Sequence, residues 1–269
     1  NLLSLQKTSA LMDITQSRLA TGLKVQSALD DPINYFAAKA HKDRASDLVY
    51  RKTEMSEGIQ LLKAADAGIT ALEDLVAAAK SLAQSALSAE STTEINDLET
   101  QYTALMSQIN DLAADSGYKG INLLGGTSET LQVYFDENGD SSITLTGIDA
   151  SASGLGMTTS ITANDWNSDA TGGTADRTNI NSDIDLLDSA RTSLRSSAKT
   201  FSNNMSTITI RQDFTSNMVN VLEDGAAGLT EADMNEEGAN MLMLQTRQAL
   251  GTTSLSIASQ SAQSVLRLS

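Results

Sequence analysis

The chain lacks several residue types on which active sites and dense cores depend. Cysteine is absent, which excludes disulfide bonds and thiolate chemistry. The single histidine, His41, has no second nitrogen ligand beside it, so a zinc site of the usual kind or a serine triad cannot be built. Aromatic residues make up only 4% of the chain, so its core must be aliphatic and thin. No stretch approaches the roughly 20 apolar residues that a membrane-spanning helix needs.

Positive charge is also scarce. The 18 Lys and Arg residues face 34 Asp and Glu residues, giving a formal net charge of -16. A surface of this sign repels phosphate backbones, so the composition excludes nucleic acid as a partner. No short apolar run follows a basic start, so we expect a secreted form to leave the cell without signal cleavage.

Two segments of the chain show a helical hydrophobic repeat with spacings of three and four. Such spacing places one apolar seam along each helix and requires a partner helix to cover it. The other end of the chain is the most economical partner, so we predict a mainly α fold, a long antiparallel helical bundle or coiled coil of N- and C-terminal segments. The seam residues are Ile95, Leu98, Tyr102, Leu105, Ile109, Leu112, Ile184, Leu187, Leu194, Phe201, Met205 and Ile208.

The only proline, Pro32, divides the N-terminal half of the chain, because proline is tolerated in the first turn of a helix and not inside one. We predict one helix over about 1 to 20, a long one from about 33 to 91, and a third that ends between 115 and 120. Helix resumes near Asn179, and we predict a break at 224–229 before a last helix over 231–269.

The middle of the chain changes from helical to alternating periodicity. Residues 131–135 and 142–146 are short strand candidates, and the Asn138-Gly139 pair between them favours a tight β-hairpin turn. Residues 150–176 have too little apolar content for a core and are interpreted as a loop. Trp166 within this loop is open to two interpretations, an anchor for a partner or a local packing residue.

The acidic residues that could form a metal or catalytic site are better explained by structural roles. Asp136, Asn138 and Asp140 have the first three ligand spacings of a calcium loop, but Ser141 and Gly147 replace its glycine and its last acidic ligand, which favours a solvated turn. The carboxylate pairs Asp30-Asp31 and Glu236-Glu237 suit helix capping better than acid-base catalysis. We therefore expect no enzymatic activity, no metal and no cofactor.

Four segments carry a resemblance to a known family. QSRLATGLKVQSALDDP at 16–32 resembles the N-terminal signature of bacterial flagellins, and TEADMNEEGANM at 230–241 resembles its C-terminal counterpart. SQSAQSVLRL at 259–268 is similar to the flagellin C-terminus, and SGYKGINLL at 116–124 is similar to the turn into the family's hairpin. The resemblance covers nearly everything except 150–176.

The resemblance implies a filament subunit with four parts. Residues 1–20 and 230–269 would form an inner domain, 21–32 and 224–229 its spoke linkers, 33–149 and 177–223 an outer helical domain with the hairpin, and 150–176 a reduced variable loop. The inner tube would surround an export channel and contain Leu5, Met12, Leu19, Leu255, Ala258, Ala262 and Val265.

The same resemblance implies partners and location. The subunit would be exported unfolded through the flagellar type III route, held by an export chaperone, and would meet further copies of itself, the filament cap and the hook-junction proteins. Its location would be the extracellular filament, with no insertion into a membrane.

Some flagellins are recognised by a Toll-like receptor through their outer helices. Aligned without a gap back from Tyr118, the family positions that carry Arg, Leu and Glu in recognised flagellins fall on Ala77, Ser81 and Gln101. The resemblance therefore implies weak recognition of this chain.

Three functional classes remain open at this point. The first is a self-assembling filament subunit, and the second is the hook-filament junction protein, which resembles flagellin at both ends but forms a thin ring. The third is an enzyme or adhesin inserted into a flagellin frame, for which residues 150–176 are too few.

Overall fold

A computed structural model describes residues 2–157, 166 and 177–266 of the 269-residue chain, without the side chains of 262 and 264–266. Its described part contains five helices and one two-stranded antiparallel sheet, which confirms the mainly α fold with a central hairpin. The helices are α1 (Leu2–Thr21), α2 (Pro32–Ser88), α3 (Thr92–Asp115), α4 (Arg177–Thr230) and α5 (Met234–Leu266); the strands are β1 (Thr130–Tyr134) and β2 (Ser142–Thr146). None of these helices combines the length and the apolarity that crossing a membrane requires.

The start of α2 follows from the sequence around the proline. Pro32 is the first helical residue, where its missing N–H costs no hydrogen bond. The carboxylate of Asp31 accepts a hydrogen bond from the backbone N–H of Asn34 at 3.1 Å, which caps the new helix. Ser91 does the same for α3 by accepting from the backbone N–H of Glu94.

The break that the sequence suggests at 224–229 is not present. These residues form the last turns of α4, which ends only at Thr230. Val219, Leu222 and Ala226 continue a buried apolar face through the segment. Each helical glycine costs about 1 kcal/mol relative to alanine, and burial of this face outweighs the cost at Gly225 and Gly228.

Contacts divide the chain into two compact units. The terminal unit comprises Asn1–Ser46 and Met218–Ser269, and the central unit comprises Asp47–Asn217. In the terminal unit, α1 and α5 pack antiparallel, and the segment after α1 joins the end of α4 through an antiparallel bridge between Leu23 and Glu231. The backbone N–H groups of Lys24 and Val25 both donate to the carbonyl of Thr230.

The central unit contains α3, parts of α2 and α4, and the hairpin. Leu131 pairs with Leu145 and Val133 with Ile143 in the antiparallel register, and Val133 and Leu145 face the aliphatic core. The turn includes Gly139 at φ 80°, a left-handed conformation that favours glycine. The Asp136 carboxylate accepts from the backbone N–H groups of Ser141 at 2.9 Å and Asp140 at 3.2 Å. These bonds lower the pKa of Asp136. They also explain why an aspartate lies at this position of the turn, because its carboxylate binds the backbone N–H groups there.

Candidate assembly surfaces

The pair of terminal helices is fixed by one ion pair and one close approach. Arg18 Nη1 on α1 donates to Glu237 Oε1 on α5 at 2.9 Å, and the Glu237 side chain is only 9% exposed. At the other end of the pair, Leu5 packs so closely on Gly251 that an added Cβ would stand 2.6 Å from Leu5 Cδ2. Breaking the ion pair on the Arg18 side would leave a buried carboxylate without its cation, which is strongly unfavourable. The pairing of α1 with α5 is therefore specified at both ends.

The residues expected in an inner tube occupy two kinds of position in this pair. Leu5, Met12 and Leu19 are half-buried on α1, whereas Leu255 and Ala258 on α5 are exposed. The side chains of Ala262 and Val265 lie outside those that the structure describes. Leu5 and Leu250 also line an open groove of about 350 Å³ along the helix pair. Their place in a tube stays a prediction.

The terminal unit leaves many large apolar side chains in solvent. Leu29 is 95% exposed and Ile33 is 81% exposed, which is unusual for aliphatic residues of a folded chain. Others lie along α1 and α5, at the start of α2 and near the end of α4, and so many exposed large apolar side chains in one unit are typical of a surface for association. They are Leu2, Leu3, Leu11, Ile14, Phe36, Val221, Met234, Leu242, Met243, Leu250, Leu255 and Ile257.

The segment between α1 and α2 is held in a defined turn. The Asp30 carboxylate accepts hydrogen bonds from the backbone N–H groups of Ser27 at 2.9 Å and Gln26 at 3.0 Å. Hydrogen bonds from these two residues lower the pKa of Asp30. Leu29 therefore projects from an ordered turn.

The seam residues of the outer helices lie inside the central unit. Seven are buried in its core, and five are half-buried and packed against it. The buried ones are Ile95, Tyr102, Ile109, Leu187, Leu194, Phe201 and Ile208; the half-buried ones are Leu98, Leu105, Leu112, Ile184 and Met205. Lys80 pairs with Asp188 at 2.6 Å across α2 and α4. The seam is thus covered within one copy of the chain.

Trp166 belongs to the same core. Its ring is fully buried and packs on Tyr102 with the ring centroids 5.0 Å apart, and its Nε1 donates to Asp183 Oδ2 at 2.7 Å. Burial, and then the charge of Asp183, raises the pKa of Tyr102. Of the two interpretations of Trp166, the structure supports local packing. The sequence did not indicate Asp183, because a single acidic residue on a helix gives no sign that an indole N–H will cover it.

An open groove runs between α2 and α4 on the surface of the central unit. It has a volume of about 610 Å³, and its apolar lining comes from Ile59, Met205 and Ile210. Ile210 is 66% exposed. Sequence analysis did not indicate this groove, because its lining residues are separated by more than 130 positions along the chain.

The positions implicated in receptor recognition are all on the surface. Ala77 and Ser81 on α2 and Gln101 on α3 are exposed. None of these three side chains carries a charge. Weak recognition stays a prediction.

Comparisons with known proteins point to the same family at both ends of the chain. The family model of the bacterial flagellin N-terminal helical region matches residues 1–129, and that of the C-terminal helical region matches residues 178–268. A flagellin of Brucella melitensis biotype 1 is 30% identical over 99% of this chain and 94% of its own length. Flagellin FljO of Caulobacter vibrioides is 29% identical with the same coverage. A crystal structure of Bacillus cereus flagellin has a TM-score of 0.49 at 16% identity, covering 60% of this chain and 88% of that one.

Proposed function

Because this chain belongs to the bacterial flagellin family, we propose that it is a structural subunit of the flagellar filament. Many copies of the chain polymerise to build that filament. The observation that carries the function is the terminal unit, whose helices match the family at both ends and leave many large apolar side chains uncovered. Burial of these side chains against neighbouring copies supplies the driving force for assembly, at about 25 cal/mol per Å² of apolar surface.

The filament is favoured over the hook-filament junction. The two relatives from Brucella melitensis and Caulobacter vibrioides are named flagellins, and both align with the chain along 94% of their own length. A junction protein would share the terminal helices but would stop at a ring. The two functions therefore differ in how long a polymer the purified chain can build.

The finer parts of the function follow from the same family. The extracellular filament would be reached by unfolded export along the flagellar type III route, with a chaperone holding the C-terminal helices and with the cap and hook-junction proteins as further partners. The lack of cysteine supports this route, because no disulfide could obstruct passage of the unfolded chain. Flagellins are structural proteins, and we expect no enzymatic activity from this one.

Electron microscopy of the purified chain at high concentration tests the function. We expect long helical filaments from the unchanged protein and none from Ile257→Asp, since Ile257 is 59% exposed in the single copy and its replacement leaves that copy folded. Ser107→Asp adds the same charge at an exposed position on α3 and should still polymerise. Rings or short stacks that never lengthen would identify a junction protein instead.

A further inference from the structure

We propose that residues 29–36 of one copy dock into the α2–α4 groove of the central unit of a second copy. The inference rests on the proposed function, since it names one contact within the same filament. It assigns an occupant to a groove that one copy leaves open, and it gives a role to the most exposed aliphatic side chain of the described residues.

The groove differs chemically from the rest of the central unit. Residues 47–217 contain 24 Asp and Glu residues against 10 Lys and Arg residues. None of the residues lining the groove is acidic; apart from the apolar residues named above, its lining consists of Ser, Thr and Gln residues and Lys63. Lys63 is exposed, and Lys199 is exposed one turn from Ser202, which lines the groove on α4. The groove therefore has an apolar part and a single charged lining residue, Lys63, with the exposed carboxylate of Asp66 one turn further along α2.

The segment 29–36 has the complementary chemistry. Leu29, Ile33 and Phe36 are spaced by four and three residues, and they are 95%, 81% and 59% exposed. Asp30 and Asp31 lie between the first two of these side chains, and their hydrogen bonds to backbone N–H groups hold both carboxylates in fixed positions. An apolar ridge with fixed negative charge suits an apolar groove with Lys63 at its edge.

The segment is short enough to fit the length of the groove. The α4 side of the groove extends from Ser202 to Gln212, about 15 Å at a rise of 1.5 Å per residue. The helical residues 32–36 of the segment span about 6 Å at the same rise, and 29–31 form the turn that precedes them. The segment can therefore lie lengthwise within the groove.

The symmetry of the contact is also that of a filament. The segment and the groove are different surfaces of the chain, so each copy can offer its segment to one neighbour and its groove to another. A heterologous contact of this kind leaves both ends of a growing chain open, whereas an isologous contact would stop at a dimer. Repeating the proposed contact therefore lengthens the assembly with every added copy.

Disulfide trapping tests the contact directly, because the natural chain contains no cysteine. Ile33→Cys and Ile210→Cys variants, each added as a minor fraction to unmodified protein, are polymerised together and oxidised. We expect a disulfide-linked dimer of the two variants in the filaments, and none in the dilute unpolymerised mixture or in filaments that contain either variant alone. Ile33→Cys combined with Ser81→Cys, which lies five turns beyond Lys63 on α2, should give no dimer.

The outcomes separate this inference from the function on which it rests. Filaments that form normally but contain no linked dimer would overturn the docking and leave the filament subunit intact. A failure of the unmodified protein to form filaments would overturn the proposed function itself.

A charge variant provides the second test. Lys63→Glu places a carboxylate opposite Asp30 and Asp31, and we expect it to slow elongation from unmodified filament ends by about tenfold or more, whereas Lys63→Arg should elongate normally. Lys63 is exposed, so circular dichroism of both monomers should match that of the unmodified chain. Normal elongation by Lys63→Glu would contradict the proposal.

Discussion

Gly68 shows how much packing can depend on one missing side chain. It is buried on α2, where an added Cβ would lie 2.5 Å from Ser116 Oγ and 2.6 Å from Leu124 Cδ1. We expect Gly68→Ala to destabilise the central unit by about 1–3 kcal/mol, because the end of α3 and the chain after it must move away. Urea unfolding followed by circular dichroism measures the change.

The matched control is Gly228→Ala, also in a helix. Nothing lies within 4 Å of the added Cβ there, so we expect a gain of up to about 1 kcal/mol from helix propensity. Equal effects of the two substitutions would show that the close approach at Gly68 is not a constraint.

Glu57 links the stability of the central unit to pH. Its Oε2 accepts from Lys119 Nζ at 2.8 Å and from the Tyr118 hydroxyl at 3.1 Å, and these bonds, with that to Lys119 the larger cause, lower the pKa of Glu57 below its ordinary value of 4.5. Folding therefore favours the ionised form, and this contribution is present above pH 4.5 and disappears as the pH falls through the lowered pKa.

The corresponding variant is Glu57→Gln. We expect it to be less stable than the natural chain at neutral pH, with a difference that shrinks as the pH falls below about 4.5. Urea midpoints across that range measure the difference. Asp66→Asn, at an exposed carboxylate on the same helix, serves as the control. A difference that grew in acid would contradict the role of Glu57.

Receptor recognition is a third residue-scale property. Since Ala77, Ser81 and Gln101 are exposed and uncharged, we expect purified monomer to be a poor agonist of the Toll-like receptor that recognises other flagellins. Ala77→Arg combined with Ser81→Leu and Gln101→Glu should raise its potency in a receptor reporter assay. Full potency of the unchanged monomer would refute the expectation.

At the scale of the helices and strands, the sequence indicated most of the fold. Hydrophobic spacing and Pro32 located the helices to within a few residues, because one stripe per helix must be covered and proline cannot continue a helix. The pair Asn138-Gly139 located the hairpin. The expected break at 224–229 was wrong because two glycines and an aspartate suggested a loop, whereas a buried face extending to Ala226 keeps the helix intact.

The candidate surfaces were harder to foresee than the helices. The pairing of Arg18 with Glu237 and the burial of Trp166 against Asp183 join residues on different elements, and no local pattern encodes which element will cover a charge. Nor did the sequence indicate that Leu29 and Ile33 are exposed, because leucine and isoleucine are usually buried. The resemblance to flagellins supplied the function, which periodicity alone could not specify.

The last turns of α5 allow a prediction for a whole element. The side chains of residues 252–261 are all exposed in the single copy, so they contribute little to its folding. We expect deletion of Thr252–Ser269 to leave the remaining helices folded and to abolish filament growth. Circular dichroism tests the first part and sedimentation the second, with the full chain in parallel. Long polymers from the truncated chain would contradict a role for these turns in assembly.

At the scale of the whole molecule, the net charge of -16 is unevenly distributed. Residues 1–46 and 218–269 contain 10 Asp and Glu residues against 8 Lys and Arg residues, so nearly all the excess lies in the central unit. Polymerisation brings these acidic units together. We expect growth to accelerate as salt rises toward physiological strength, where the screening length falls to about 8 Å.

Light scattering during assembly at a series of salt concentrations measures this effect. Sodium chloride and potassium chloride should act alike at equal ionic strength, because screening depends on ion charge and concentration. Growth that was indifferent to salt, or slower in it, would show that repulsion between central units does not limit assembly.

The position of Trp166 has a practical consequence for following these transitions. It is the only tryptophan in the chain, and its ring is buried beside Tyr102 in the central unit. Its emission maximum should therefore report melting of that unit alone, shifting to longer wavelength as water reaches the ring. The terminal helices contain no tryptophan, so their loss would be silent in this signal but visible in helical ellipticity. One sample observed by two optical methods would thus show whether the two parts of the chain unfold together or separately.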